Sequence, residues 1–181
     1  MTEKLTWGIL GTGTIAGTFA KGLQASETGK LLAVGSRTQE AANTFGERWN
    51  ISHRHGSYEA LLANKDVQAI YISTPHPMHA EWAIKAAEAG KHVLCEKPIG
   101  LNAAEAMAII EAARRNNVFL MEAFMYRCHP QTAQLVELIR SGTIGEVRVI
   151  QATFSFATTF NLEKSLLNNA LGGGGILDVG G

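Results

Sequence analysis

The sequence predicts a doubly wound α/β fold, a parallel sheet with helices on both faces, and three observations predict it. Short apolar runs alternate with helical stretches of about ten residues as far as Ala123, the spacing that parallel strands with right-handed crossovers require. A glycine-rich turn follows the first run directly and opens the first helical stretch. The composition, 46% hydrophobic and 18% charged, supplies enough apolar surface for a core and too little charge density for disorder.

Taken in order, Leu5–Leu10 is a short buried strand and Ile15–Gln24 a helix. Leu31–Ser36 is a second strand. Over Gln39–Trp49, Ala42, Phe45 and Trp49 recur at helical spacing. A weaker strand at Ile51–Arg54 and a helix at Tyr58–Ala63 lead to a strong strand at Ala69–Ser73. Met78–Ala89 is a helix stopped by Gly90, which tolerates the left-handed conformation that ends helices. Strand His92–Cys95, helix Ala103–Asn116 and strand Phe119–Ala123 complete a first domain of residues 1–123.

Beyond Ala123 the rhythm changes. A helix at Gln131–Ser141 and a turn at Gly142 and Gly145 precede Glu146–Phe156, where Val147, Val149, Ile150, Ala152, Phe154 and Phe156 are read as the alternation of an amphipathic strand. Residues 124–181 are therefore expected to open a second, α+β domain. One helix and one strand cannot cover their own sheet edge, so this domain is expected to be incomplete.

Sixteen basic residues balance sixteen acidic ones. Such a surface does not attract phosphate backbones or anionic lipids, which argues against nucleic-acid and membrane-surface roles and for small-molecule chemistry. Cys95 and Cys128 stand without a CxxC or Cys/His cluster, so neither a disulfide framework nor a metal site is expected. No run of about 18 apolar residues occurs, and a reducing, cytoplasmic setting is expected.

Gly11-Thr12-Gly13-Thr14-Ile15-Ala16 is a GxGxxA between a strand and a helix. Gly11 permits the tight turn, Gly13 the approach of a pyrophosphate, and Ala16 close helix–strand packing, while the helix start offers free N–H groups to phosphate. Dinucleotide binding is the leading reading, with an ordinary turn or a methyltransferase nucleotide site as alternatives. At the end of the second strand, an NAD site carries a carboxylate about 20 residues past the glycines. Here Ser36-Arg37-Thr38 offers none, and a guanidinium pairs with a 2′-phosphate, so NADP is favoured over NAD unless Arg37 is merely solvated.

Ser73-Thr74-Pro75-His76-Pro77-Met78-His79 follows the fourth strand, where two prolines stiffen a loop able to line a nucleotide. His79 is either a cofactor contact or a packing residue at the helix start. Cys95-Glu96-Lys97-Pro98 ends the fifth strand. A lysine there can exchange a proton with a substrate oxygen, Glu96 is placed to hold its ammonium, and the competing reading is an exposed lysine before a proline turn.

With these motifs in register, the chain resembles the glucose–fructose oxidoreductase/inositol dehydrogenase (Gfo/Idh/MocA) family of nicotinamide-dependent oxidoreductases. Glu96-Lys97-Pro98 matches the family's most specific motif, Thr74 to His79 its cofactor loop, and Glu122 to Pro130 its domain junction. The stretches Glu122 to Arg127 and Gly172 to Gly181 look most like the NADP-dependent dihydrodiol dehydrogenase and D-xylose dehydrogenase branch.

The resemblance implies hydride transfer between NADP(H) and a sugar-like or cyclic-diol carbon. Lys97 and Asp178 would be catalytic. Gly11, Thr12, Gly13, Thr14, Ile15, Ser36, Arg37, Thr74, Pro75, His76, His79, Glu96 and Lys97 would bind cofactor, with Arg127 near the nicotinamide end. It implies homo-oligomer contacts through the second domain's open sheet, and a His or Tyr four residues after Asp178, a position past Gly181. A cofactor-binding fragment or sensor without turnover is the alternative expectation.

Overall fold

The computed structural model describes residues 3–157 and 167–179. Within them, six segments form the strands β1 (Leu5–Leu10), β2 (Gly29–Gly35), β3 (His53–His55), β4 (Ala69–Ile72), β5 (His92–Cys95) and β6 (Leu120–Glu122). The strands are parallel and ordered β3-β2-β1-β4-β5-β6. The order reverses between β1 and β4, which opens a crevice at the carboxyl ends of those two strands.

Neighbouring residues on a strand point to opposite faces, and both faces are apolar, as a doubly covered sheet requires. Ile9, Val34 and Tyr71 pack with Ala16 and Ala20 of α1 (Thr14–Gln24) and with Ala42 and Phe45 of α2 (Gln39–Arg48). Leu10, Ile70 and Ile72 pack on the other face against α3 (Tyr58–Leu62), α4 (His79–Glu88) and α5 (Ala103–Arg115). Ile9, Leu10, Ile70 and Ile72 are wholly buried, and burial of each aliphatic side chain contributes about 1.5–3 kcal/mol.

Local chemistry sets the helix ends. Thr38, Ser57 and Asn102 accept hydrogen bonds from the first turns of α2, α3 and α5, satisfying donors that have no intrahelical partner. Gly90 follows α4 at φ +72°, as its position after the helix predicts. Met78, the first residue expected of α4, belongs instead to a 3-10 turn, His76–Met78, that begins after Pro75 and contains Pro77. β2 begins earlier than its apolar run because Gly29 and Lys30 pair with Leu5 and Thr6.

Past β6, a 3-10 turn (Met125–Cys128) leads to α6 (Pro130–Arg140), close to the expected helix. Glu146–Phe156 is not the strand its alternation predicts: residues 145–157 carry no regular secondary structure. Val149 and Ile150 are 83% and 82% exposed. A strand exists only as part of a hydrogen-bonded ladder, and no edge among the described residues pairs with this segment, so its alternation goes unused. Further on, α7 (Gly175–Val179) carries Asp178. Part of the glycine-rich stretch expected to lead past Asp178, residues 180–181, lies outside the described residues, as does 158–166 of the polar stretch before it.

Candidate active site

The parallel ladder runs one residue beyond its strands, and that overrun lines up the site. Gly11 N–H donates to Gly35 O, Ser36 N–H to His55 O, Ser73 N–H to Leu10 O, and Glu96 N–H to Ile72 O, each at 3.0 Å. Ala123 N–H donates to Cys95 O at 2.8 Å. The residues after β1, β2, β4, β5 and β6 thus sit along one edge of the sheet.

At the β1/β4 switch point lies a cavity of about 640 Å³, lined by Gly11, Thr12, Gly13, Ser36, Arg37, Thr38, Tyr58, Ser73, Thr74 and Pro75 among others. Gly11 adopts φ +112°, and a Cβ there would lie 2.8 Å from Ser73 Oγ, so only glycine fits between the two loops. Gly13 caps α1 without a side-chain hydrogen bond, and a Cβ added there would meet nothing within 4 Å. The first turn of α1 therefore faces open space with free N–H groups and no acidic residue.

Ser36 is buried, its Oγ 3.4 Å from Thr12 Oγ1, and Arg37 is exposed at the rim without an ion-pair partner among the described residues. Thr74 Oγ1 is buried on the cavity wall with no hydrogen-bond partner among the described residues. An orphaned hydroxyl is uncommon in a finished interior and suits a wall awaiting a polar ligand. The uncrowded glycine cradle, the orphaned hydroxyl and the unpaired guanidinium together fit a dinucleotide carrying a 2′-phosphate. Thr14 and Ile15 start α1 at the edge of this cavity, both exposed.

The two histidines of the β4 loop lie outside the cavity lining. His79 is fully buried, with Nδ1 2.7 Å from Pro98 O and Nε2 2.8 Å from Thr74 O. It is a packing residue that ties two loops, and any influence on a ligand passes through them. Burial pulls its pKa below the ordinary histidine value, against the opposing pull of the two carbonyls. His76 is half-buried, its Nδ1 3.2 Å from Gly172 O.

At the end of β5, Lys97 Nζ lies 2.5 Å from Asp178 Oδ1 and 2.6 Å from Asp178 O, with both side chains about four-fifths buried. The expectation that Glu96 holds this ammonium is corrected. Its Oε1 accepts a 2.5 Å hydrogen bond from Tyr71 Oη, and its Oε2 accepts from the Lys97 backbone N–H at 3.3 Å. The Lys97 ammonium is engaged by Asp178 instead, and the buried phenol takes the carboxylate oxygen of Glu96. Burial first, then the bond to Glu96, pushes the Tyr71 pKa far up, so the phenol stays protonated.

Lys97 and Asp178 line a second, largely apolar cavity of about 540 Å³ with Phe124, Tyr126, Phe154 and Phe156. Its volume leaves room for a small organic molecule against the lysine. Arg127 lies on the 3-10 turn, exposed and outside the lining of both cavities.

Sequence reasoning missed the roles of three residues. Tyr71 reads as one more apolar strand residue. Ser73, whose Oγ donates to Leu10 O at 3.0 Å, closes the glycine turn. Glu122 accepts the Ile99 N–H through Oε1 at 2.8 Å and so anchors the loop after Lys97. Its place in the Glu122 to Pro130 junction was the available signal. Among the described residues, no cluster of three or more His, Cys, Asp or Glu side chains could hold a metal.

A crevice at the switch point of a 3-2-1-4-5-6 sheet, cradled by a glycine turn, defines a dinucleotide-binding protein. The comparisons carry this further: the oxidoreductase family with an NAD-binding Rossmann fold, GFO_IDH_MocA, matches residues 5–124, and the chain belongs to that family. It is 41% identical over 98% of its length to an uncharacterized oxidoreductase of Rhizobium meliloti. To the trans-1,2-dihydrobenzene-1,2-diol dehydrogenase of Mus musculus it is 40% identical over 97%. To the NADP(+) D-xylose 1-dehydrogenase 2 of Haloferax volcanii it is 39% identical over 97%. In each case the chain spans 53–54% of the relative. A crystal structure of a 3-ketoreductase from Actinomadura kijaniata, in complex with NADP and TDP-benzene, superposes with a TM-score of 0.87 at 35% identity, covering 98% of this chain and 55% of that one.

Proposed function

We propose that this chain carries the nucleotide-binding part of an NADP-dependent oxidoreductase acting on a CH–OH or carbonyl carbon of a sugar-like or cyclic-diol substrate. The observation that carries the reading is the Lys97 ammonium, held by Asp178 on the same sheet edge as the Gly11 turn. The names of the mouse, Haloferax and Actinomadura relatives, a diol dehydrogenase, an NADP(+) sugar dehydrogenase and a ketoreductase bound to NADP, support it.

The free N–H groups of Gly13 and Thr14 would hold the pyrophosphate, and Ser36 and Arg37 the 2′-phosphate. Thr12, Thr74 and Pro75 would wall the crevice. When bound, NADP(H) supplies or accepts the hydride. Lys97 Nζ donates a proton to the substrate oxygen in the reducing direction and takes it back in the oxidising direction. Asp178 fixes the ammonium through its carboxylate and its carbonyl, so the proton faces the second cavity in one orientation. Phe124, Phe154 and Phe156 supply apolar walls around that step.

The same proposal includes a second domain starting at residue 124, supported by the end of β6 at Glu122 and of the family match at 124. Self-association through that domain is supported by the exposed Val149 and Ile150. A cytoplasmic setting is supported by two free cysteines, Cys95 and Cys128.

The test follows nicotinamide absorbance with D-xylose and with a cyclic trans-diol, supplying either NADP(+) or NAD(+). Oxidation of at least one alcohol, faster with NADP(+), is expected. Tight NADPH binding without turnover of either would overturn the catalytic half of the proposal and leave a cofactor-binding protein.

A further inference from the structure

We propose that Tyr71 is a positioning residue for Lys97, acting through Glu96 to keep a second carboxylate away from the lysine ammonium. This rests on the reading of Lys97 as the proton-transferring group. Glu96 is its neighbour in the chain, and Asp178 reaches it from 81 positions away. An ammonium shared by two carboxylates gives up its proton less readily than one facing a single carboxylate. Whatever occupies Glu96 therefore bears on what Lys97 can do.

Both oxygens of Glu96 are taken. Oε1 accepts the Tyr71 hydroxyl at 2.5 Å and Oε2 the Lys97 backbone N–H at 3.3 Å. The tyrosine has little freedom to release its partner. It sits in β4, 2% exposed, with its ring stacked on Phe19 of α1 at 3.9 Å between centroids and 18° between planes. Burial and the bond to Glu96 keep the phenol a donor at every working pH. Through Phe19 the same contact joins the helix of the glycine turn to the lysine loop.

Core packing alone does not call for this hydroxyl. Ile9 and Val34, which share the face of Tyr71, are wholly buried without a polar side-chain atom. A hydroxyl taken into such surroundings is unfavourable unless paired. The pairing lies where β4 runs beside the residue that precedes Lys97.

Tyr71→Phe keeps the ring, the stack and the volume while removing the donor. In the crystal structure of that variant, the Glu96 carboxylate is expected to turn to within about 4 Å of Lys97 Nζ, an ion-pair distance. In the full chain, kcat is expected to fall about tenfold, with the NADPH Kd and the substrate KM within twofold of the parent. Adding Glu96→Gln removes the competing charge, so the double variant is expected to recover most of the lost kcat.

A Glu96 carboxylate that stays in place in Tyr71→Phe overturns the proposal, whatever happens to turnover. So does a Tyr71→Phe variant with lowered Tm and parent kcat, the outcome for a merely structural hydroxyl, and so does a double variant that recovers none of the lost kcat. A parent without turnover on any alcohol contradicts the proposed function instead, and the position of Glu96 in the variant still decides the role of Tyr71.

Discussion

His79 bridges Thr74 and Pro98: its two ring nitrogens lie 2.8 Å and 2.7 Å from their carbonyl oxygens. One buried imidazole thus joins the loop that walls the dinucleotide crevice to the loop that carries Lys97. The first prediction follows from its titration.

Burial lowers the His79 pKa in the folded chain, so as pH falls the unfolded chain takes up the proton first. The stability contributed by the neutral ring is intact above the ordinary histidine pKa of about 6.5 and is lost as pH drops below it. His55, also lowered by burial, acts in the same direction but is more exposed. Urea unfolding at a series of pH values is expected to show stability declining from about pH 7 to pH 5. His79→Gln should be less stable at neutral pH and show a shallower decline. An unchanged slope removes His79 from the acid response.

The 2′-phosphate reading makes Arg37 selective between cofactors. A hydrogen bond to a charged group contributes about 1.5–3 kcal/mol, which is about ten- to a hundredfold in Kd. Arg37→Ala is expected to weaken NADPH by that factor and NADH by less than twofold, measured by fluorescence titration. Equal losses would assign the guanidinium to solvent.

Gly11→Ala tests the cradle. The backbone stands at φ +112° and the new Cβ meets Ser73 Oγ at 2.8 Å, so a loss of about 1–3 kcal/mol in folding stability is expected together with loss of NADPH binding. Gly13→Ala, where no atom lies within 4 Å of the new Cβ, is expected to fold like the parent and still bind NADPH less well. Parent-like binding in both variants would move the pyrophosphate elsewhere.

For the Lys97–Asp178 pair, Lys97→Ala is expected to lower kcat by roughly 10²–10⁴-fold, the range for a lost proton-transferring group. Asp178→Asn keeps the shape and weakens the hold on the ammonium, and its loss is expected to be smaller, about tenfold. Neither should change the NADPH Kd by more than about twofold. A fully active Lys97→Ala variant excludes the lysine from proton transfer.

Much of this arrangement was legible in the sequence, for physical reasons that also mark where legibility ends. β5 was read to the residue because Gly90 stops the helix before it and Glu96-Lys97-Pro98 follows it. The glycine turn and the missing carboxylate near Ser36 were readable because backbone geometry and charge at those points depend on residue type. Glu146–Phe156 failed because alternation records a preference for pairing, and pairing needs a partner strand. Glu96 was assigned the wrong partner because sequence adjacency to Lys97 hid Tyr71, 25 positions earlier, which reaches the same point across the β4–β5 ladder. Asp178 was reached only through family resemblance, since no local pattern signals a contact across 81 residues.

The most direct measurement is an equilibrium titration of the folded chain with NADPH and with NADH, followed by nicotinamide fluorescence. Saturable one-to-one binding, at least about tenfold tighter for NADPH, is the result predicted by a crevice where, among the described residues, Arg37 has no ion-pair partner and no carboxylate lines the wall. A folded chain that binds neither at millimolar concentration, or that binds NADH more tightly, would contradict it.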